Sequence, residues 1–339
     1  MSRPVILDCE GTLLTAEEKA LFRELDPCGF ILFARNCQSP DQLRRLTDEM
    51  RETVGREDAP ILIDQEGGRV CRLNPNYWRR PPSAGALLNL YEKDPETGLV
   101  ATKVNARLMA EDLREMGVTV DCYPCLDLHF AGADDVIGDR SFGDDIDTVV
   151  RLGQAACEGL FAGGVLPVIK HIPGHGRALV DSHLELPVVE TPLDILMDTD
   201  FAPFQALSHM PLAMTAHITY SAIDPDLPAT LSEPVIRRVI REQIGFKGVL
   251  ISDDISMKAL SGESAANAKQ ALRAGCDLVL LCNASLTDRG AVLEGLYDFN
   301  LVNESWLRDM FRLRRDVAAI DKAELSAWLD NALANVENR

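Results

Sequence analysis

The chain has 339 residues, of which 46% are hydrophobic and 26% charged, and a formal net charge of −19. That composition is globular and long enough for a large core, which excludes a disordered chain. The negative charge repels phosphate, and no Lys/Arg cluster offsets it, so no nucleic-acid partner is expected; Arg44-Arg45 and Arg79-Arg80 read as solvated surface.

Eight short, near-continuously apolar runs read as strands covered on both faces, at 5–7, 30–33, 61–63, 118–120, 166–169, 212–215, 249–251 and 278–281. Helical patterns fall between them near 15–24, 40–55, 97–116, 145–162, 192–208, 232–244 and 263–274. Ser39-Pro40-Asp41 and Thr191-Pro192 look like helix starts, and Gly55, Gly117, Gly245 and Gly275 like helix stops. Strands alternating with helices predict an α/β fold with a parallel sheet, and eight such units predict closure into a (β/α)8 TIM barrel. The barrel is expected over about 4–300, with closing helices over about 303–336, and no composition break divides 1–339 into more than one domain. An open dinucleotide-binding sheet is disfavoured, because Leu7-Asp8-Cys9-Glu10-Gly11 lacks the glycine fingerprint.

No run of about 18 apolar residues suggests a membrane span. The start, Met1-Ser2-Arg3-Pro4 and a short apolar stretch, lacks the longer apolar region of a signal peptide. Nine scattered cysteines fit reduced thiols in a cytoplasmic protein better than a disulfide framework. Cys122-Tyr123-Pro124-Cys125 has CxxC spacing but no partner pair, which falls short of a zinc site.

In a barrel of this kind the chemistry gathers at the carboxyl ends of the strands. There the sequence places Asp64-Gln65-Glu66-Gly67-Gly68-Arg69-Val70-Cys71-Arg72, Lys170-His171-Ile172-Pro173-Gly174-His175-Gly176, Thr215-Ala216-His217 and Ser252-Asp253-Asp254. About 20 residues separate His171 from the next expected helix, longer than usual for such a loop. Gly174 and Gly176 in it allow tight or mobile backbone, and it carries Asp181-Ser182-His183, where an aspartate can orient an imidazole two residues on. Of the neighbours Asp253 and Asp254, strand geometry lets only one aim readily at the barrel mouth. Asp64 with Arg72 also reads as a plain ion pair. Four rim histidines (171, 175, 183, 217) keep a zinc hydrolase conceivable, but no HExxH motif supports it.

These motifs, with Gly138-Asp139-Arg140-Ser141-Phe142-Gly143, follow one another in an order that resembles the single-domain β-N-acetylhexosaminidases of glycoside hydrolase family 3. The resemblance spans roughly residues 5–285. It implies a retaining enzyme that removes terminal β-linked N-acetylglucosamine from cell-wall muropeptides during recycling in the cytoplasm, without cofactor or metal. It implies Asp253 as nucleophile, His183 as acid/base with Asp181 as its orienting partner, and Asp64, Arg72, Arg140, Lys170 and His171 as sugar-binding residues. The expected partner is therefore a small amino-sugar glycoside, with the chain a monomer or weak homodimer. The alternatives are a glucosidase or glycoside phosphorylase of the same family, or a sugar-binding barrel without turnover.

Overall fold

The computed structural model describes residues 2–182, 184–299, 312 and 317–337. In chain order its strands are β1 (Arg3–Leu7), β2 (Pro27–Leu32), β3 (Ile61–Ile63), β4 (Val120–Asp121), β5 (Leu166–Ile172), β6 (Val188–Val189), β7 (Leu212–Thr215), β8 (Thr219–Tyr220), β9 (Val249–Asp254) and β10 (Leu278–Leu281). Eight of them close into a parallel barrel in the order β1-β10-β9-β7-β5-β4-β3-β2, the (β/α)8 arrangement expected; β6 and β8 pair separately. The eight expected strands are all barrel strands. The fourth begins later than expected, at Val120, and β9 runs past Ile251 to include Ser252, Asp253 and Asp254.

The two-residue period of a strand decides what each position faces. Leu62 on β3, Leu166 and Val168 on β5, and Val249 and Ile251 on β9 belong to the cluster inside the barrel. Ile61, Ile63, Ile169 and Leu250 belong to the layer between barrel and helices. Each fully buried aliphatic side chain of this kind contributes roughly 1.5–3 kcal/mol. Two residues beyond Leu62, Val168 and Ile251, the inward row arrives at Asp64, Lys170 and Asp253, where the packed interior gives way to an open mouth.

The main helices are α1 (Ala16–Leu25), α2 (Pro40–Val54), α3 (Ala84–Lys93), α4 (Pro95–Glu115), α5 (Ile146–Ala162), α6 (Leu193–Asp198), α7 (Ala202–Ala206), α8 (Ser264–Ala274) and α9 (Leu286–Gly295), with a π-helical segment at Val235–Gln243. In α2, Leu43, Leu46, Thr47 and Met50 are buried at helical spacing, and the αL residue Gly55 ends the helix. The helix expected over 192–208 is two short ones: Pro203 has no N–H to continue the first. The second expected start shifts accordingly, with Pro192 rather than Thr191 at the cap. Helix α3 was not expected; Ser83 caps it, accepting from Ala86 N at 3.2 Å. Arg79, expected on the surface, instead donates to Asn105 Oδ1 on α4 at 2.8 Å.

The closing helices expected over 303–336 lie partly outside the described residues. Within the described part, Lys322–Glu337 is a helix whose Lys322 Nζ lies 2.6 Å from Asp112 Oδ1 on α4. No helix among the described residues is long and apolar enough to cross a membrane.

Candidate active site

A cavity of about 260 Å³ opens at the carboxyl ends of the strands. Asp64, Arg72, Arg140, Lys170, His171 and Asp253 all line it. Asp181 does not, but its neighbour Ser182 does. His183 lies outside the described residues.

One wall is a buried charge network. Lys170 Nζ lies 2.9 Å from Asp64 Oδ1 and 2.6 Å from Glu66 Oε1. Arg140 grips Glu66 with two parallel bonds of 2.8 Å, from Nε and Nη2, the bidentate form that fixes orientation as well as charge. Arg72 Nη2 reaches Asp64 Oδ2 at 3.3 Å, so the plain ion pair does form, on the cavity wall. Burial opposes the charge on Asp64, Glu66, Arg140 and Lys170, but the partners outweigh it. Lys170 and Arg72 bring the Asp64 carboxyl below its ordinary range, and Arg140 and Lys170 do the same to Glu66. Asp64 and Glu66 in turn raise the pKa of Lys170. An ammonium has three donors, and the two carboxylates take two of them. The site residues expected from the sequence omitted Glu66, although it stands two residues after Asp64 in the same motif.

A second buried hub lies behind this wall. Asp127 accepts from His171 Nδ1 at 2.7 Å, from the backbone N–H of His175 at 2.6 Å, from that of His171, and from Cys125 Sγ at 3.2 Å. Burial alone would raise its pKa, but His171 and then His175 hold it down at about 2. With Nδ1–H given to Asp127, His171 turns Nε2 towards Arg140 Nη2, 3.5 Å away. Among the described residues Cys125, Asp127 and His171 form a group with metal-type donors within 4.8 Å of one another. Their chemistry fits hydrogen bonding better than coordination: burial pushes the Cys125 thiol well above its ordinary pKa, and it donates to the carboxylate. Cys122 and Cys125 both carry free thiols, and Cys122 packs in the barrel interior.

On the opposite side, β9 resolves its two aspartates as strand geometry predicts. Asp253 follows Ile251 on the inward row, and its Oδ1 accepts Asp254 N–H at 2.8 Å. Asp254 also borders the cavity, but its carboxylate takes the N–H groups of Ser256 and Cys282, each at 3.0 Å, and the Ser256 hydroxyl at 2.8 Å. Burial still lifts its pKa to about 6. His217 is held from both sides: Nδ1 lies 2.7 Å from Thr230 Oγ1 and Nε2 2.9 Å from the Asp254 carbonyl.

The long loop after β5 is tight where its glycines lie. Gly174, at φ +150°, lies against the Asp200 backbone, and a Cβ on Gly176 would collide with the Leu128 carbonyl. Tyr220 OH donates to the Gly174 carbonyl. Arg177 Nε bonds Asp200 Oδ2 at 2.7 Å, and its guanidinium stacks 4.0 Å above the Phe130 ring. Further on, β6 joins β8.

Fold and site together define an α/β-barrel enzyme with a carboxylate-lined pocket at the carboxyl ends of its strands. The family model for the Glycosyl hydrolase family 3 N terminal domain matches residues 9–308. The chain is 42% identical to a beta-hexosaminidase of Alkalilimnicola ehrlichii over 284 residues, which is 83% of this chain and 80% of that protein. Among solved structures, NagZ from Neisseria gonorrhoeae in complex with N-trifluoroacetyl-D-glucosamine superposes with a TM-score of 0.83 at 34% identity, covering 99% of this chain and 97% of that one. A family 3 beta-N-acetylglucosaminidase from Paenibacillus gives the same TM-score at 31% identity, covering 97% of this chain and 67% of that one. The chain belongs to glycosyl hydrolase family 3 and is a glycoside hydrolase.

Proposed function

We propose that the chain is a retaining β-N-acetylhexosaminidase that removes one terminal, non-reducing β-linked N-acetylglucosamine at a time. The observation that carries this reading is the inward position of Asp253, in the same small cavity as the Asp64–Lys170–Glu66–Arg140 network. At about 260 Å³ the cavity sits just below the usual range for ligand pockets, roughly 300–1,000 Å³, which suits a single ring. The relatives named beta-hexosaminidase and NagZ support the amino-sugar substrate.

In this reading Asp253, on a rigid strand end, attacks the anomeric carbon and forms a covalent glycosyl ester. His183 protonates the leaving oxygen, oriented by Asp181, and then takes the proton from the water that hydrolyses the ester. Histidine titrates near neutral pH, so one group can serve both steps. Asp64 accepts from sugar hydroxyls, while Arg72, Arg140 and Lys170 donate to sugar oxygens. His171 offers Nε2 as an acceptor. The chain acts as one catalytic domain over 1–339, on muropeptide fragments released in cell-wall recycling, in the cytoplasm.

The test compares nitrophenyl N-acetylglucosaminide with the glucoside, each with and without phosphate. The proposal expects turnover of the amino sugar, free N-acetylglucosamine as product, and no dependence on phosphate. Preference for the glucoside, or a sugar phosphate as product, would replace it with the glucosidase or phosphorylase alternative.

A further inference from the structure

The loop after β5 is anchored through residue 178, where Asp134 N–H donates to the Ala178 carbonyl at 2.9 Å. Beyond it, a side-chain contact ties the segment back to that anchored part. His175 Nε2 lies 3.1 Å from Ser182 Oγ, and both residues are buried in the cavity wall, each 3% exposed. Ser182 is covalently placed between Asp181 and His183. We propose that the His175–Ser182 hydrogen bond is a positioning contact that sets where Asp181 and His183 meet the sugar. This rests on the assignment of His183 as acid/base.

The His175 ring is well suited to hold something else in place. Its backbone N–H is pinned by Asp127 at 2.6 Å, and its ring packs 5.5 Å from that of His171 at 60°. The packed glycines Gly174 and Gly176 flank it, against Asp200 and Leu128. Its Nδ1 is buried with no hydrogen-bond partner among the described residues, so Ser182 is the side-chain partner the ring serves. The tautomer protonated on Nε2 leaves no buried N–H orphaned; it donates to Ser182 Oγ and leaves the hydroxyl proton directed elsewhere. Burial, then the neighbouring His171, lowers the ring's pKa to about 4, which keeps it neutral and the contact intact at neutral pH. Asp127 thus supports both halves of the site, His171 on the sugar-binding wall and His175 beneath the loop.

A positioning contact for an acid must matter more when the leaving group needs protonation. The experiment measures kcat/KM for a phenyl and a dinitrophenyl N-acetylglucosaminide with wild type, Ser182→Ala, Ser182→Thr, His175→Leu, the Ala/Leu double variant and His183→Ala. Ser182→Ala and His175→Leu are each expected to lose about 10- to 100-fold on the phenyl glycoside and to keep the dinitrophenyl rate. Ser182→Thr, which retains the hydroxyl, restores the phenyl rate, and the double variant is no worse than either single one. Equal losses on both glycosides would mark a merely structural contact and overturn the proposal, as would no loss on either. If His183→Ala discriminates between the glycosides and Ser182→Ala does not, only the positioning proposal fails. If His183→Ala itself does not discriminate, the acid/base assignment fails first.

Discussion

On the barrel wall, Asp64, Lys170 and Asp253 take their direction from strand parity: the residues two positions before them, Leu62, Val168 and Ile251, are locked in the interior core. On the loop after β5 no such repeat exists, and direction comes from individual contacts: Gly176 against Leu128, Arg177 on Asp200 and Phe130, His175 on Ser182. A wall of the first kind is rigid and suits a nucleophile, which must be placed to a fraction of an ångström. A loop of the second kind depends on each tie separately, so single substitutions reach its chemistry without unfolding the barrel.

That contrast can be broken most forcefully at Asp253. Asp253→Asn is expected to remove nearly all turnover, by roughly 10⁴-fold or more, with the circular dichroism spectrum unchanged; an active, folded variant would take the nucleophile off the strand. Next in size is the charge network. Glu66→Gln leaves Lys170 and Arg140 buried with less compensation and is expected to cost about 3–5 kcal/mol in denaturant unfolding, whereas an unaltered midpoint would show that the wall is not held by this pair. On the loop, Gly176→Ala forces a Cβ into the Leu128 carbonyl. It is expected to cost roughly 1–3 kcal/mol and to impair the phenyl glycoside more than the dinitrophenyl one, and wild-type behaviour would mean that the loop is not anchored there.

The smallest expected effect is one of pH. The folded-state pKa of His175 is about 4, below the unfolded value of about 6.5. Between those values the unfolded chain binds the proton and the folded chain does not, so stability falls as pH drops through that window. Asp127, at about 2 when folded, works in the same direction at lower pH, while Asp254, at about 6, works oppositely, its contribution being lost as pH rises. Comparing wild type with His175→Leu cancels the other two. Urea unfolding between pH 7 and 4.5 should show a shallower decline in the variant, by up to roughly 2 kcal/mol, and parallel declines would contradict the assignment.

The barrel was legible in the sequence because eight apolar runs bounded by helices leave few other closures, and the rim residues were legible because strand ends are where such runs stop. That Asp253 rather than Asp254 continues the inward row follows from parity once β9 is known to run past Ile251. Glu66 was within reach by the same two-residue step from Asp64. Asp127 was not: it lies in irregular chain after β4, outside the motifs at the strand ends, and its role appears only when the β5 loop folds over it. The glycines at 174 and 176 were ambiguous between hinge and close approach, because only the neighbours Asp200 and Leu128, distant in sequence, decide between the two. Helix α3 was missed although Ser83 offers a cap, since Pro81-Pro82 before it reads as loop.

A nucleophilic Asp253 must end up bonded to the sugar through its carboxylate. Incubation with a 5-fluoro N-acetylglucosaminyl fluoride, followed by peptide mass spectrometry, reads that bond. A single sugar adduct on the peptide carrying Asp253, localised to that residue by fragmentation, is the predicted result; an adduct on Asp64 or Asp254, or turnover that never yields one, would contradict it.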